Sequence, residues 1–144
     1  MIYIVTGLPG AGKTTYVKSI MTTHDSIYDL DYMVEAFTLC NGFRSSNAIF
    51  IANSLLKPFV KAANECSIGN VYIIRVALSN EEIEFFNQLN VRYLNIDTDK
   101  DTCYSRRCNT ITLKEFDNIA ERYDKYLRIN ANRIQTVLIN KEHW

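Results

Sequence analysis

The 144-residue chain reads as a three-layer α/β domain: a five-stranded parallel sheet covered by helices on both faces. Three observations carry this reading. Short β-branched or apolar runs alternate with helix-period segments along the chain, the pattern of parallel strands joined by crossover helices. Residues 71–77 are apolar almost throughout, as a central strand buried on both faces requires. The first strand runs directly into a glycine-rich loop that opens a helix.

Each element follows from local signals. Residues 2–5, mostly β-branched, stop at Gly7 and predict a buried strand. A helix is expected over 14–21 and a short strand over 26–30. Asp31 stands where it could cap the next helix, whose apolar positions are Met33, Val34, Phe37 and Leu39 and which stops at Asn41 and Gly42. From 46 or 47 a longer helix runs to about 65 with Ile51, Leu55, Phe59 and Ala62 along one face, and Pro58 should kink or split it. A turn over 67–70 leads into the strand at 71–77. Ser79 and Glu82 form a capping box for a helix to about 89. A strand over 91–96 ends at Asp97, a helix follows over 100–107, and a second capping box, Thr112 with Glu115, opens a long helix to about 129. Residues 134–139 read as the fifth strand.

Length and composition fit one domain spanning 1–144, with 47% apolar and 22% charged residues. The formal net charge is zero, without the basic balance of a duplex-binding module. The four cysteines, Cys40, Cys66, Cys103 and Cys108, form no C-x-x-C pair and lie far from His24 and His143, which argues against zinc. The opening apolar run is too short for a secretory leader and lacks a basic flank. No stretch approaches the roughly 20 apolar residues of a membrane span. The expectation is a cytoplasmic protein with reduced thiols.

The sharpest signal is Gly7-Leu8-Pro9-Gly10-Ala11-Gly12-Lys13-Thr14, which fits G-x-x-x-x-G-K-[ST] at every fixed position. Average residue usage produces such a match in roughly one in a couple of hundred chains of this length, before its placement between strand and helix is required. Gly7, Gly10 and Gly12 allow positive φ and close approach of the backbone to oxygen atoms. The exposed N–H groups then make an anion-binding nest at a helix N-terminus. Lys13, facing solvent, reaches the β- and γ-phosphates of a nucleoside triphosphate, Thr14 supplies a hydroxyl to Mg²⁺, and Thr15 reaches the α-phosphate. ATP with Mg²⁺ is the expected ligand.

GTPases are set aside. No glycine here has Asp three residues before it, and Asn140-Lys141-Glu142-His143 carries His where a base-reading motif needs Asp. The glycine loop, followed by Tyr28-Asp29-Leu30-Asp31 after the second strand, resembles the small P-loop kinase group. That group includes nucleoside monophosphate kinases, polynucleotide kinase domains, zeta-toxin kinases and, most similar in layout, small bacteriophage ATP-binding proteins. The resemblance implies a P-loop NTPase fold with strand order 2-3-1-4-5, ATP as donor, and a carboxylate beside the acceptor hydroxyl.

The second strand should end at the ligand crevice, where a carboxylate can take the acceptor's proton. By resemblance Asp31 is that base and Asp29 an Mg²⁺-side or supporting partner; capping a helix is the plainer role for Asp31. Two features depart from the group. Val34 stands where several members carry Arg, and the third strand lacks a terminal acid, so Asp29 or Asp97 substitutes or Mg²⁺ relies on Thr14, phosphates and water. Arg106 and Arg107 fall where the group carries a short arginine lid; otherwise they are a solvated pair at a helix C-terminus. At least one of the pair is expected to face the site, and neighbouring helix positions about 100° apart let only one face the phosphates. Arg44 could clamp an acceptor phosphate or lie on the surface. Tyr32, Phe43 and Tyr104 could stack a base or serve the core. Glu121, Arg122, Asp124, Lys125 and Arg128 read as the solvated face of a long helix.

Two functions follow. The first is a kinase moving the γ-phosphoryl group of ATP to a nucleotide, a nucleic-acid 5′ end or another small hydroxyl or phosphate acceptor. The second is an ATP-binding or slow ATPase accessory protein that acts through a protein or DNA partner.

Overall fold

Residues whose branched or aromatic side chains pack well on a pleated surface build the sheet. The computed structural model, which describes residues 1–39, 45–66 and 68–138, has β1 (Ile2–Thr6), β2 (Ser26–Asp29), β3 (Val71–Ile74), β4 (Val91–Asp97) and β5 (Ile134–Leu138). They form one parallel sheet in the order β2-β3-β1-β4-β5. β1 is central: Ile4 pairs with Ile73 on one side and Tyr93 on the other. No helix among the described residues is long and apolar enough to cross a membrane.

Alternation along the strands sends side chains to two separate cores. Val5, Tyr72, Ile74, Leu94 and Ile96 face α1 (Lys13–Ile20), α6 (Lys100–Arg107) and α7 (Leu113–Asn130), meeting Val17, Cys103, Phe116 and Tyr123. Ile2, Ile4, Tyr28, Val71 and Ile73 face the other way, onto Leu56 and Val60 of α4 (Leu56–Glu65) and Phe86 of α5 (Asn80–Asn87). A smaller cluster of Val34, Ala48 and Ala52 joins α2 (Leu30–Thr38) to α3 (Ser46–Ser54). That helical pair stands beside the carboxyl end of β2 and supplies one wall of the site.

Local chemistry explains the boundaries. Both capping boxes form: Ser79 with Glu82 at α5, and Thr112 with Glu115 at α7. The expected long helix over 46–65 is split at Leu55, and Pro58 stands third in α4, where a missing N–H leaves no intrahelical bond unmade. Its buried face differs from the expected one. Ala48, Ala52, Leu56 and Val60 are buried, whereas Ile51 and Leu55 are exposed. The small alanines let the helix approach closely enough for the Tyr28 hydroxyl to donate to the Ala52 carbonyl.

Three further expectations are corrected. Asp29, not Asp31, caps α2: its Oδ1 accepts the Asp31 N–H at 3.1 Å. Of the apolar positions expected on that helix, Phe37 and Leu39 are exposed, and Leu39 ends it in the left-handed region at φ 54°. β3 is shorter than residues 71–77, because after Arg75 the chain leaves the sheet and the Val76 carbonyl accepts the Gly7 N–H at 3.3 Å.

One buried polar knot ties α7 to the sheet. The Tyr123 hydroxyl donates to Asn95 Oδ1 at 2.7 Å, and the Thr6 hydroxyl lies 3.3 Å from the same oxygen. Burial pushes the Tyr123 phenol up to about 12, so this side chain stays a neutral donor. Tyr123→Phe removes the better of two donors from a buried amide oxygen. It is expected to cost about 1–3 kcal/mol in urea denaturation; a cost below about 0.3 kcal/mol would show that the knot contributes nothing.

Candidate active site

The glycine loop lies between the end of β1 at Thr6 and the start of α1 at Lys13. Gly10 (φ 82°) and Gly12 (φ 94°) occupy the left-handed region, a backbone conformation from which anion-binding nests of N–H groups are built. Gly7 does not adopt positive φ, contrary to expectation; space is what it needs, since a Cβ there would lie 3.0 Å from the Ile96 carbonyl. At Gly10 a Cβ would lie 2.6 Å from the Cys103 carbonyl, so α6 rests directly on the loop.

Neighbouring elements hold the loop's carbonyls. Thr98 Oγ1 donates to the Ala11 carbonyl at 2.8 Å, and Arg106 donates to the Gly10 carbonyl at 2.9 Å. Lys13 Nζ folds back onto the carbonyls of Gly7 and Leu8, at 2.8 and 2.9 Å, instead of projecting into solvent as expected. Burial, followed by the nearby Arg107 guanidinium, lowers Lys13 to about 8, with Asp29 and Asp31 opposing the shift. A lysine held this way gains more from an incoming polyanion than an exposed one does, because the anion supplies the counter-charge that burial withholds.

Two carboxylates complete the arrangement. Asp29, buried at the end of β2, accepts from Thr14 Oγ1 through its Oδ2 at 2.6 Å. Asp31, in the first turn of α2, has its carboxylate 3.8 Å from Arg107. Two adjoining clefts meet at these groups. One, of about 260 Å³, is lined by Gly10, Gly12, Lys13, Thr14, Thr15 and Arg106. The other, of about 480 Å³, extends between α3, the end of β3 and α7. Lys13, Asp29, Asp31, Ile74 and Arg107 line both.

Comparison with known proteins agrees with this geometry. No protein-family model and no curated protein sequence matches the chain. Among solved structures, a chain of the Pnkp1/Rnl/Hen1 RNA repair complex superposes with a TM-score of 0.67 at 14% identity, over 91% of this chain and 45% of that one. Shikimate kinase from Bacteroides thetaiotaomicron gives 0.53 at 19% identity, over 97% and 85% of the two chains. Deoxyadenosine kinase from M. mycoides gives 0.53 at 14%, over 99% and 91%. This is the small P-loop kinase fold. The chain spans less than half the length of the RNA repair chain it resembles, and at these identities the likeness is one of fold.

On that fold, the structure brings together Lys13, Thr14, Thr15, Asp29, Asp31, Arg106 and Arg107 around the smaller cleft. Both arginines line it, Arg106 turning to the Gly10 carbonyl and Arg107 to Asp31. Leu8 and Ala11 are buried in the loop, and Pro9 borders the larger cleft. Asp97 is exposed at the end of β4 and lines neither cleft. Tyr32 is bound by Lys18 at 2.9 Å, and Tyr104 packs on Phe116 in the core. Arg44 and Phe43 lie outside the described residues.

Sequence reasoning missed the larger cleft's own side chains. Arg75 immediately follows β3, donating to both Glu82 carboxylate oxygens at 2.8 and 3.0 Å and to Asn53 Oδ1 at 2.9 Å. Its place at a strand's carboxyl end was the available signal. Arg122 of α7 also lines this cleft. Because Gly10 combines φ 82° with a backbone contact that a Cβ would violate, Gly10→Ala is expected to destabilise the protein by about 1–3 kcal/mol in thermal or urea unfolding. Wild-type stability in that variant would mean that α6 does not rest on the loop.

Proposed function

We propose that the protein is an ATP-dependent phosphotransferase that moves the γ-phosphoryl group of ATP to a hydroxyl-bearing acceptor. One observation carries the reading: the two clefts share a wall made of Lys13, Asp31 and Arg107. A phosphate chain lying on the glycine loop would therefore point its terminal group at a second chamber with a carboxylate on the boundary. The kinases found among the structural neighbours support the same assignment.

In this reading the amides of Gly10, Gly12 and Lys13 bind phosphate oxygens, and Lys13 leaves its carbonyl partners for the β- and γ-phosphates. Asp31 takes the acceptor's proton as that oxygen bonds to the γ-phosphorus. The bond from this phosphorus to the bridging oxygen breaks, and ADP carries away the electron pair. Arg106 and Arg107 face the oxygens on which charge accumulates. The hydroxyl–carboxylate pair of Thr14 and Asp29 is a hard-oxygen donor set that fits Mg²⁺. In this reading phosphate oxygens and water supply the rest of the ion's ligands. When bound, Mg²⁺ would neutralise phosphate charge there.

The second reading, an ATP-binding or ATPase accessory protein acting through a protein or DNA partner, draws on Arg75. It stands directly after β3, where an acid would serve the metal. A γ-³²P transfer screen over nucleosides, nucleotides, 5′-hydroxyl oligonucleotides and small hydroxylated acids separates the two. Labelled acceptor is the expected product, and free phosphate alone would favour the second reading.

Asp31→Asn is expected to bind ATP·Mg²⁺ as the wild type does while losing roughly 10²–10⁴-fold in transfer rate. If Asp31→Asn remains active and Asp29→Asn is dead, the two carboxylates exchange roles.

The Lys13 value fixes a pH dependence. Without ligand, Lys13 titrates near 8; a bound triphosphate favours its charged form and returns it toward 10.5. Binding then takes up a proton between those values, and affinity should fall by up to about tenfold per pH unit above pH 8. Calorimetry in buffers of different ionisation enthalpy measures the uptake. A flat affinity from pH 7 to 9.5 would contradict it, and Lys13→Ala should abolish the uptake.

A further inference from the structure

Three guanidinium groups line the larger cleft, and their surroundings differ. Arg75 is neutralised: Glu82 engages it with both oxygens, and Asn53 takes another N–H. Arg107 belongs to both clefts and faces Asp31. Arg122 is different. It projects from α7 one turn beyond Ile119, and that three-residue spacing places both on one face of the helix. Among the described residues it has neither a hydrogen-bond nor an ion-pair partner. Arg122 is exposed, and the cleft that it lines also has apolar walls from Ile49, Leu78, Ile111 and Ile119.

A guanidinium without a partner among the described residues, lining a cleft that also has aliphatic walls, can receive an oxyanion carried by a partly apolar molecule. The lining carries a second message. Of the cleft's other charged groups, Lys13, Asp29, Asp31 and Arg107 also line the smaller cleft and Arg75 pairs with Glu82, which leaves Arg122 as the larger cleft's own unpaired cation among the described residues.

We propose that Arg122 binds an anionic group that the acceptor carries in addition to its hydroxyl, making the preferred acceptor a small hydroxylated phosphate or carboxylate recognised through that charge. This deepens the phosphotransferase reading and rests on it for the word acceptor. The anion subsite itself stands on the cleft geometry.

The test uses the full chain loaded with Mg²⁺ and a non-hydrolysable ATP analogue. Two matched pairs are titrated calorimetrically: glycerol against glycerol 3-phosphate, and thymidine against thymidine 3′-monophosphate. In the wild type the anionic member of each pair should bind at least about tenfold tighter, the range of one charge-assisted hydrogen-bonded contact. That preference should fall below about twofold in Arg122→Ala, survive in part in Arg122→Lys, and leave affinity for the ATP analogue unchanged. The proposal is overturned if Arg122→Ala keeps the full preference, if the neutral members bind as tightly, or if no anionic probe binds. Measuring γ-³²P transfer to the same four compounds separates the two layers. Arg122-dependent binding without transfer sinks the phosphotransferase reading and leaves the subsite. Equal transfer to neutral and anionic members, indifferent to Arg122, does the reverse.

Discussion

Asp29 holds the junction on which the rest of the site depends. One carboxylate oxygen accepts from Thr14 at the start of α1, and the other accepts the Asp31 amide at the start of α2. A single buried side chain thus sets the distance between the phosphate loop and the helix that presents Asp31. Buried carboxylates are costly unless their lone pairs are satisfied, and here each oxygen has a donor. Converging strand ends make this economical, because β1 and β2, separated only by β3, deliver both partners to the same edge of the sheet.

The loop is held in a shape that it would not choose alone. Two glycines adopt left-handed backbone, carbonyls of Gly7, Leu8, Gly10 and Ala11 accept from side chains, and α6 presses on Gly10. These contacts occupy the loop's carbonyls and fix its backbone, a rigidity that an anion-binding loop would use. The depressed Lys13 has the same origin. Its ammonium is sheltered and sits near Arg107, so an arriving anion supplies a counter-charge to a group whose charged form burial disfavours. The α6 contact also couples Arg106 and Arg107 to the loop, since the helix that carries them is the one that Gly10 admits.

How much of this was legible in the sequence depended on whether the signal was local. The glycine loop, the two capping boxes and the alternation of strands with helices are short-range patterns, and the structure has them where the spacing placed them. Pro58 marked a real break, but the buried face of α3 and α4 came out one residue over. The reason is tertiary: Ala48 and Ala52 are small enough to sit under Tyr28 and α2, and no hydropathy count favours alanine over Ile51 or Leu55. Tyr28-Asp29-Leu30-Asp31 offered two carboxylates two residues apart, and only the backbone turn decided which one caps. Arg122 was the hardest case. On its helix it looks like any solvated charge, and it becomes part of a cleft only because the crossover topology places α7 opposite α3.

The missing acid after β3 is best understood through Arg75. A guanidinium at the carboxyl end of a buried strand would be an uncompensated charge beside the phosphate site, and Glu82 removes that charge with a bidentate pair. Glu82 is also the third residue of the α5 capping box, so the same carboxylate accepts the Ser79 N–H and ties the end of β3 to the next helix. Asn53 extends the tie to α3, the opposite wall of the larger cleft. Arg75 therefore does structurally what an acid there would not: it braces the cleft while adding no net charge to it. The charges left facing the junction of the two clefts are then Lys13, Arg107, Asp29 and Asp31. With a neutral brace after β3, the carboxylates that line both clefts are Asp29 at the end of the second strand and Asp31 in the first turn of the helix that follows it.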